Sequence, residues 1–122
     1  CVWRELGKMA GAAADNVYVS SMWSADHKDE KVQKFVESYT KAYGRAPDQF
    51  AASAYDGVYM AMDAMQRAGT TTDHKKIRDA LAQMKDFKGV CGTFSFDEKR
   101  DPVVDLILMK MQDGKFGVVD VK

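Results

Sequence analysis

Few side chains in this 122-residue chain are of the kind that makes or breaks covalent bonds. The two histidines, His27 and His74, each sit at a polar helix entrance among charged residues and read as solvated surface groups. Without clustered His, Cys and carboxylate, a metal centre or an acid–base pair lacks material. Cys91, between Val90 and Gly92, has no base partner in the pattern and reads as a small buried hydrophobe, not a nucleophile. Cys1 and Cys91 can pair, but nothing in their spacing argues for it, and their oxidation state stays open. Asp97, Glu98 and Asp101 lie in a loop, DEKRD, that lacks the glycine and terminal glutamate of a calcium loop, which leaves a solvated turn. No catalytic residue, metal or cofactor is expected.

Recognition without catalysis is better supplied. The stretch Tyr43–Tyr59, YGRAPDQFAASAYDGVY, ends one helix at a glycine, turns on a proline and opens another with an aromatic on its first turn. That aromatic, Phe50, stands where free backbone N–H groups and the positive dipole end attract an anion. An apolar wall beside an anion-friendly helix start suits an amino acid or organic acid. Phe50 is equally readable as a core anchor, and both readings stay open here. Trp23, flanked by Met22 and Ser24 just after a strand, divides the same way, since loops at the carboxyl ends of strands bind ligands in α/β folds.

The elements that position these residues follow from periodicity. Trp3–Ala14 is a short Ala-rich helical segment, and Val17–Ser21 alternates as a strand leading into a loop at Met22–Ala25. Val32, Phe35, Val36, Tyr39 and Tyr43 mark one face of a helix from about Asp29, closed by Gly44. Asp48 is a suitable N-cap for the next helix, Gln49–Ala68, which is apolar over most of its circumference. Its core stripe is read as Ala51, Ala54, Tyr55, Val58, Met62 and Met65, widened by Ala52, Tyr59 and Ala61, with Asp56 and Asp63 on an exposed edge. Thr72 or Asp73 caps a third helix that buries Ile77, Ala80, Leu81 and Met84. The period then changes to two: Gly92–Phe96 is a strand, and Val103–Gln112 with Phe116–Val121 form a hairpin across Asp113-Gly114. This order gives an α/β fold, three helices followed by a β-hairpin.

Composition excludes several partners. Hydrophobic residues are 46% and charged residues 30% of the chain, as in globular proteins. Lys+Arg and Asp+Glu are both 18, so there is no basic excess for nucleic acid. No apolar run approaches the ~20 residues that span a bilayer. Arg4, Glu5 and Lys8 interrupt any signal-peptide core, and no initiator Met opens the chain, which therefore looks like a piece of something larger.

Three stretches in this order and spacing resemble the type I periplasmic substrate-binding proteins of branched-chain and related amino-acid ABC transporters. They are GAAADNVYVSS (Gly11–Ser21), VQKFVESYTKAYGRAPDQFAASAYDGVY (Val32–Tyr59) and KDFKGVCGTFSFDEKRDP (Lys85–Pro102). With the closing hairpin the similarity covers essentially the whole chain. The resemblance implies the C-terminal portion of a two-lobed, hinged, non-catalytic receptor, with residues 1–24 and 103–122 in the second lobe and 25–102 in the first. It implies a periplasmic or extracytoplasmic location, a small-molecule ligand (an amino acid or organic acid), and ABC permease subunits as partners of the full-length protein. A ligand-sensing regulatory domain on the same fold is the alternative. By resemblance Phe50 packs against the ligand's side chain with Ala51 beside it, and Met22 and Trp23 are hinge or cleft-rim residues. The remaining clamp residues would lie upstream of Cys1. A piece of such a fold exposes sheet edges and one side of the Gln49–Ala68 helix, so the expectation is either a remnant cut from the larger protein or self-association through those edges.

Overall fold

The computed structural model describes residues 5–119. In chain order the elements are α1 (Glu5–Ala10), a 3-10 turn (Gly11–Ala14), β1 (Tyr18–Ser21), α2 (Glu30–Tyr43), α3 (Gln49–Ala68), α4 (His74–Ala82), β2 (Phe87–Lys88), β3 (Thr93–Phe96), β4 (Pro102–Val103), β5 (Ile107–Gln112) and β6 (Lys115–Val118). They fall into two compact units, one made of the described residues up to Phe50 and from Leu106 onward, the other of Ala51–Asp105.

In the first unit an antiparallel sheet runs in the order β1-β5-β6. Val19 faces Met109 across β1 and β5, and Met111 faces Phe116 across β5 and β6. The hairpin turns at Asp113 (φ 50°) and Gly114 (φ 74°), the pair of left-handed residues that a two-residue connection needs to match strand twist. Helix α1 approaches this turn closely: a Cβ on Gly7 would strike the backbone of Gly114. The expected Trp3–Ala14 helix is shorter than its pattern, because Gly11 at φ 51° breaks the α-helical run into the 3-10 turn. Trp3, Cys1 and Val121 lie outside the described residues.

Helix α2 begins and ends as its sequence predicts. The Asp29 carboxylate accepts from the Lys31 N–H at 2.8 Å, and Gly44 at φ 67° closes the last turn. Val32 and Phe35 are buried, and Phe35, Tyr39 and Tyr43 form a run of ring contacts with centroids 5.8 and 4.5 Å apart. Trp23 meets Phe35 edge-on at 6.4 Å.

The second unit corrects one expectation. The buried positions of α3 are Ala52, Asp56, Met60 and Ala64, not the stripe through Ala54, Val58 and Met62, which stand exposed. Asp56, expected at an exposed edge, is 2% exposed. Its two carboxylate oxygens accept from the N–H groups of Val90 (2.7 Å) and Cys91 (2.8 Å). A helix apolar all round does not declare its inner face by periodicity, and here a charge with long-range backbone donors turns the helix. Asp63 is at the surface, paired with Arg67 at 2.7 Å. Asp73 accepts from Lys76 N–H at 3.1 Å to start α4, which buries Ile77, and Met84 is buried just beyond its end. A small antiparallel sheet, β2-β3-β4, completes the unit, with Phe87 opposite Phe94 and Ser95 opposite Val103. The Asp97–Asp101 turn is held by Asp97 itself, whose Oδ1 accepts from Lys99 and Asp101 N–H, both at 2.8 Å.

Candidate functional site

The loop that follows β1 is built by short-range hydrogen bonds from small polar side chains. The buried Ser21 hydroxyl donates to the Trp23 carbonyl at 2.8 Å and accepts from the Trp23 N–H at 3.2 Å. Its oxygen also lies 3.1 Å from Gln49 Oε1 at the start of α3. Ser24 Oγ accepts from Asp26 N–H at 3.2 Å, and Gln33 on α2 donates to the carbonyls of Ala25 (3.0 Å) and His27 (2.6 Å). Each bond fixes one backbone group of a segment that has no ladder of its own, so Trp23 is held in a defined place.

Beside that loop lies a cavity of about 250 Å³. Trp23, Pro47, Met109 and Phe116 give it apolar walls, and Asp26, Asp48 and Lys115 place charges around it. Gln49 adds the first turn of α3, the positive end of a 20-residue helix. Trp23 is only 7% exposed, and among the described residues its Nε1 is the buried side-chain nitrogen or oxygen that has no hydrogen-bond partner.

Of the residues singled out in the sequence, Trp23 lines this cavity and Met22 is its half-buried neighbour. Phe50 does not line it: it stands 64% exposed on the first turn of α3, followed by the half-buried Ala51. Asp26, Met109, Lys115 and Phe116 carried no local signal. Met109, Lys115 and Phe116 reach the cavity through the β1–β5–β6 register, which periodicity alone does not assemble, and Asp26 comes with the loop after β1.

Cys91 is buried and, among the described residues, a free thiol. Burial, with the Asp56 carboxylate nearby, pushes it up to about 12, so it is protonated and unreactive in the fold. The described residues contain no group of three or more metal-ligating side chains placed to hold an ion.

A sequence model of the periplasmic binding protein family matches residues 3–115. The chain belongs to the periplasmic binding protein family. It is 30% identical over 123 residues to Leu/Ile/Val-binding protein homolog 2 of Brucella abortus, covering 95% of this chain and 32% of that protein. Among solved structures it is similar to the branched-chain amino acid transporter substrate binding protein of Streptococcus pneumoniae in complex with isoleucine (34% identity, TM-score 0.81, 96% of this chain and 34% of that one). It is also similar to an ABC transporter solute binding protein of Rhodopseudomonas palustris in complex with 3,4-dihydroxybenzoic acid (29% identity, TM-score 0.76, 93% and 32%). The chain thus spans about a third of the length of the relatives it matches. Its α/β elements are those of the type I fold that the sequence resemblance implied.

Proposed function

We propose that this chain is part of an extracytoplasmic solute-binding receptor that captures an amino acid or a similar small carboxylated compound and delivers it to an ABC transporter permease. The observation that carries the reading is the family match over residues 3–115, joined to two solved relatives whose ligands share one plan, a carboxylate on an apolar body. The cavity beside Trp23 has matching chemistry, with apolar walls, a helix N-terminus and a lysine.

In this reading Phe50 and Ala51 on the first turn of α3, and Met22 and Trp23 after β1, face the ligand. The pairing of β1 with β5 supports grouping residues 1–24 with 103–122 in one lobe of the complete receptor, and 25–102 then belong to the other. Ligand held between lobes favours the closed form, and the closed form engages the permease. Titration calorimetry with L-leucine, L-isoleucine and 3,4-dihydroxybenzoate tests the capture step. Saturable binding of one of them is expected, and no heat from any of the three removes the receptor reading.

A further inference from the structure

We propose that Asp113 is a site of spontaneous covalent modification, isomerisation to isoaspartate through a cyclic imide with Gly114, and that the fold withholds the same reaction from Asp56.

Two Asp-Gly pairs occur in the sequence, Asp56-Gly57 and Asp113-Gly114. In each, the glycine amide nitrogen can attack the aspartic Cγ, because glycine has no side chain to shield that nitrogen. An N–Cγ bond forms, a Cγ–O bond breaks, and the carboxyl hydroxyl leaves as water with the amide proton. Water then opens the imide ring at either carbonyl. Opening at the former main-chain carbonyl leaves the backbone running through Cβ and Cγ. Water is the only co-reactant, and the final mass is unchanged.

The structure separates these two chemically equal pairs. Asp56 lies within the 20-residue helix α3 and is 2% exposed. Both of its oxygens accept from the N–H groups of Val90 and Cys91, so α3 must unwind before the carboxyl group is released. Asp113 instead stands exposed at the tip of the β5–β6 hairpin, at φ 50°, and Gly114 follows at φ 74°. Among the described residues no hydrogen bond engages its carboxylate. Beyond the hairpin's own ladder, one bond ties the tip down, from the Asp113 N–H to Asp15 Oδ1 at 3.1 Å. Strand β6 has a neighbour on one side only in the described sheet, so the tip opens without unfolding the rest.

The modification reaches beyond the turn. One added backbone carbon disrupts the two-residue connection that sets Gln112 opposite Lys115 and Met111 opposite Phe116. Gly114 already abuts Gly7 with no room for a methyl group. Lys115 and Phe116, the next two residues, line the cavity beside Trp23. Isomerised molecules therefore carry a disturbed α1 contact and a reshaped cavity wall.

The test is to age the folded protein in mildly acidic buffer at constant temperature. Peptide mapping with isoaspartyl-specific methylation then reads each position separately. Isoaspartate should accumulate at 113 at least about tenfold faster than at 56, because opening a hairpin tip costs less than unwinding a buried helix. In concentrated urea the two positions should react at similar rates. Asp15→Ala should quicken the reaction at 113 about fivefold, the share of one hydrogen bond. Asp113→Gly keeps a pair that two-residue hairpins accept and removes the carboxyl group. It should hold its melting temperature through an incubation that lowers that of the wild type. No isoaspartate at 113 in the folded protein, or equal rates at 113 and 56, overturns the assignment. An unchanged rate in Asp15→Ala overturns the role given to Asp15.

Discussion

Asp56 on α3 and Cys91 on the β2–β3 connection are joined by a 2.8 Å hydrogen bond from the Cys91 N–H to the carboxylate, across 35 positions of sequence. With the second bond, from Val90, one side chain satisfies two buried donors of a connection that has no partner strand there. Asp56→Ala should lower stability to urea by about 3 kcal/mol, since both N–H groups lose a charged acceptor. Asp56→Asn keeps one acceptor oxygen and should cost less. Equal midpoints for wild type and Asp56→Ala would contradict this account of the loop.

That pairing also marks the limit of what the sequence discloses. Helices α2, α3 and α4, a cap for α4 at Thr72 or Asp73 (Asp73 in the structure), the stop at Gly44 and the Asp113-Gly114 hairpin were legible, because each is set within a few residues. The inner face of α3 was not. Ala54, Val58 and Met62 have the period and the apolarity of a core stripe, yet Ala52, Asp56, Met60 and Ala64 are buried. The deciding term is the pair of N–H groups at Val90 and Cys91, which no local window contains. Likewise Trp23 was legible as an aromatic after a strand, but the cavity it lines takes Lys115 and Phe116 from the far end of the chain, which no local window contains.

Three glycines should respond differently to one methyl group. Gly57 lies mid-helix with no atom within 4 Å of an added Cβ, so Gly57→Ala should raise stability by about 0.5–1 kcal/mol. Gly7→Ala would drive its Cβ into the Gly114 backbone, and Gly89→Ala into the Asp56 carboxyl group. Each should cost about 1–3 kcal/mol. Thermal melts of the three variants order them directly.

Cys91 should be silent to thiol reagents in the folded protein and react fully in denaturant, as a buried, protonated thiol does. Its raised value fixes the sign of a pH effect. The folded state holds the proton more tightly than the unfolded chain, so this contribution is complete below about 9 and is lost as pH rises toward about 12. Cys91→Ala should show a shallower alkaline decline in melting temperature than wild type.

Phe50 offers the cleanest separation of folding from binding. At 64% exposure its loss should change stability by less than about 0.5 kcal/mol. Phe50→Ala should nevertheless weaken leucine or isoleucine binding several-fold in calorimetry. Unchanged affinity would take Phe50 out of the site.

Val58 and Met62 are exposed on one side of α3, with Tyr59 half exposed between them. Sedimentation velocity should show concentration-dependent association of the chain, and Val58→Lys with Met62→Lys should reduce it. A single monomeric boundary at all concentrations would refute that.

The tight fit of Gly89 against Asp56 constrains how such sequences diverge. A side chain at 89 and a bonded carboxylate at 56 compete for the same space, so the two positions cannot drift independently. Homologues that gain a Cβ at the first should have given up the acid at the second, and their connecting loop must then find other acceptors for its amides.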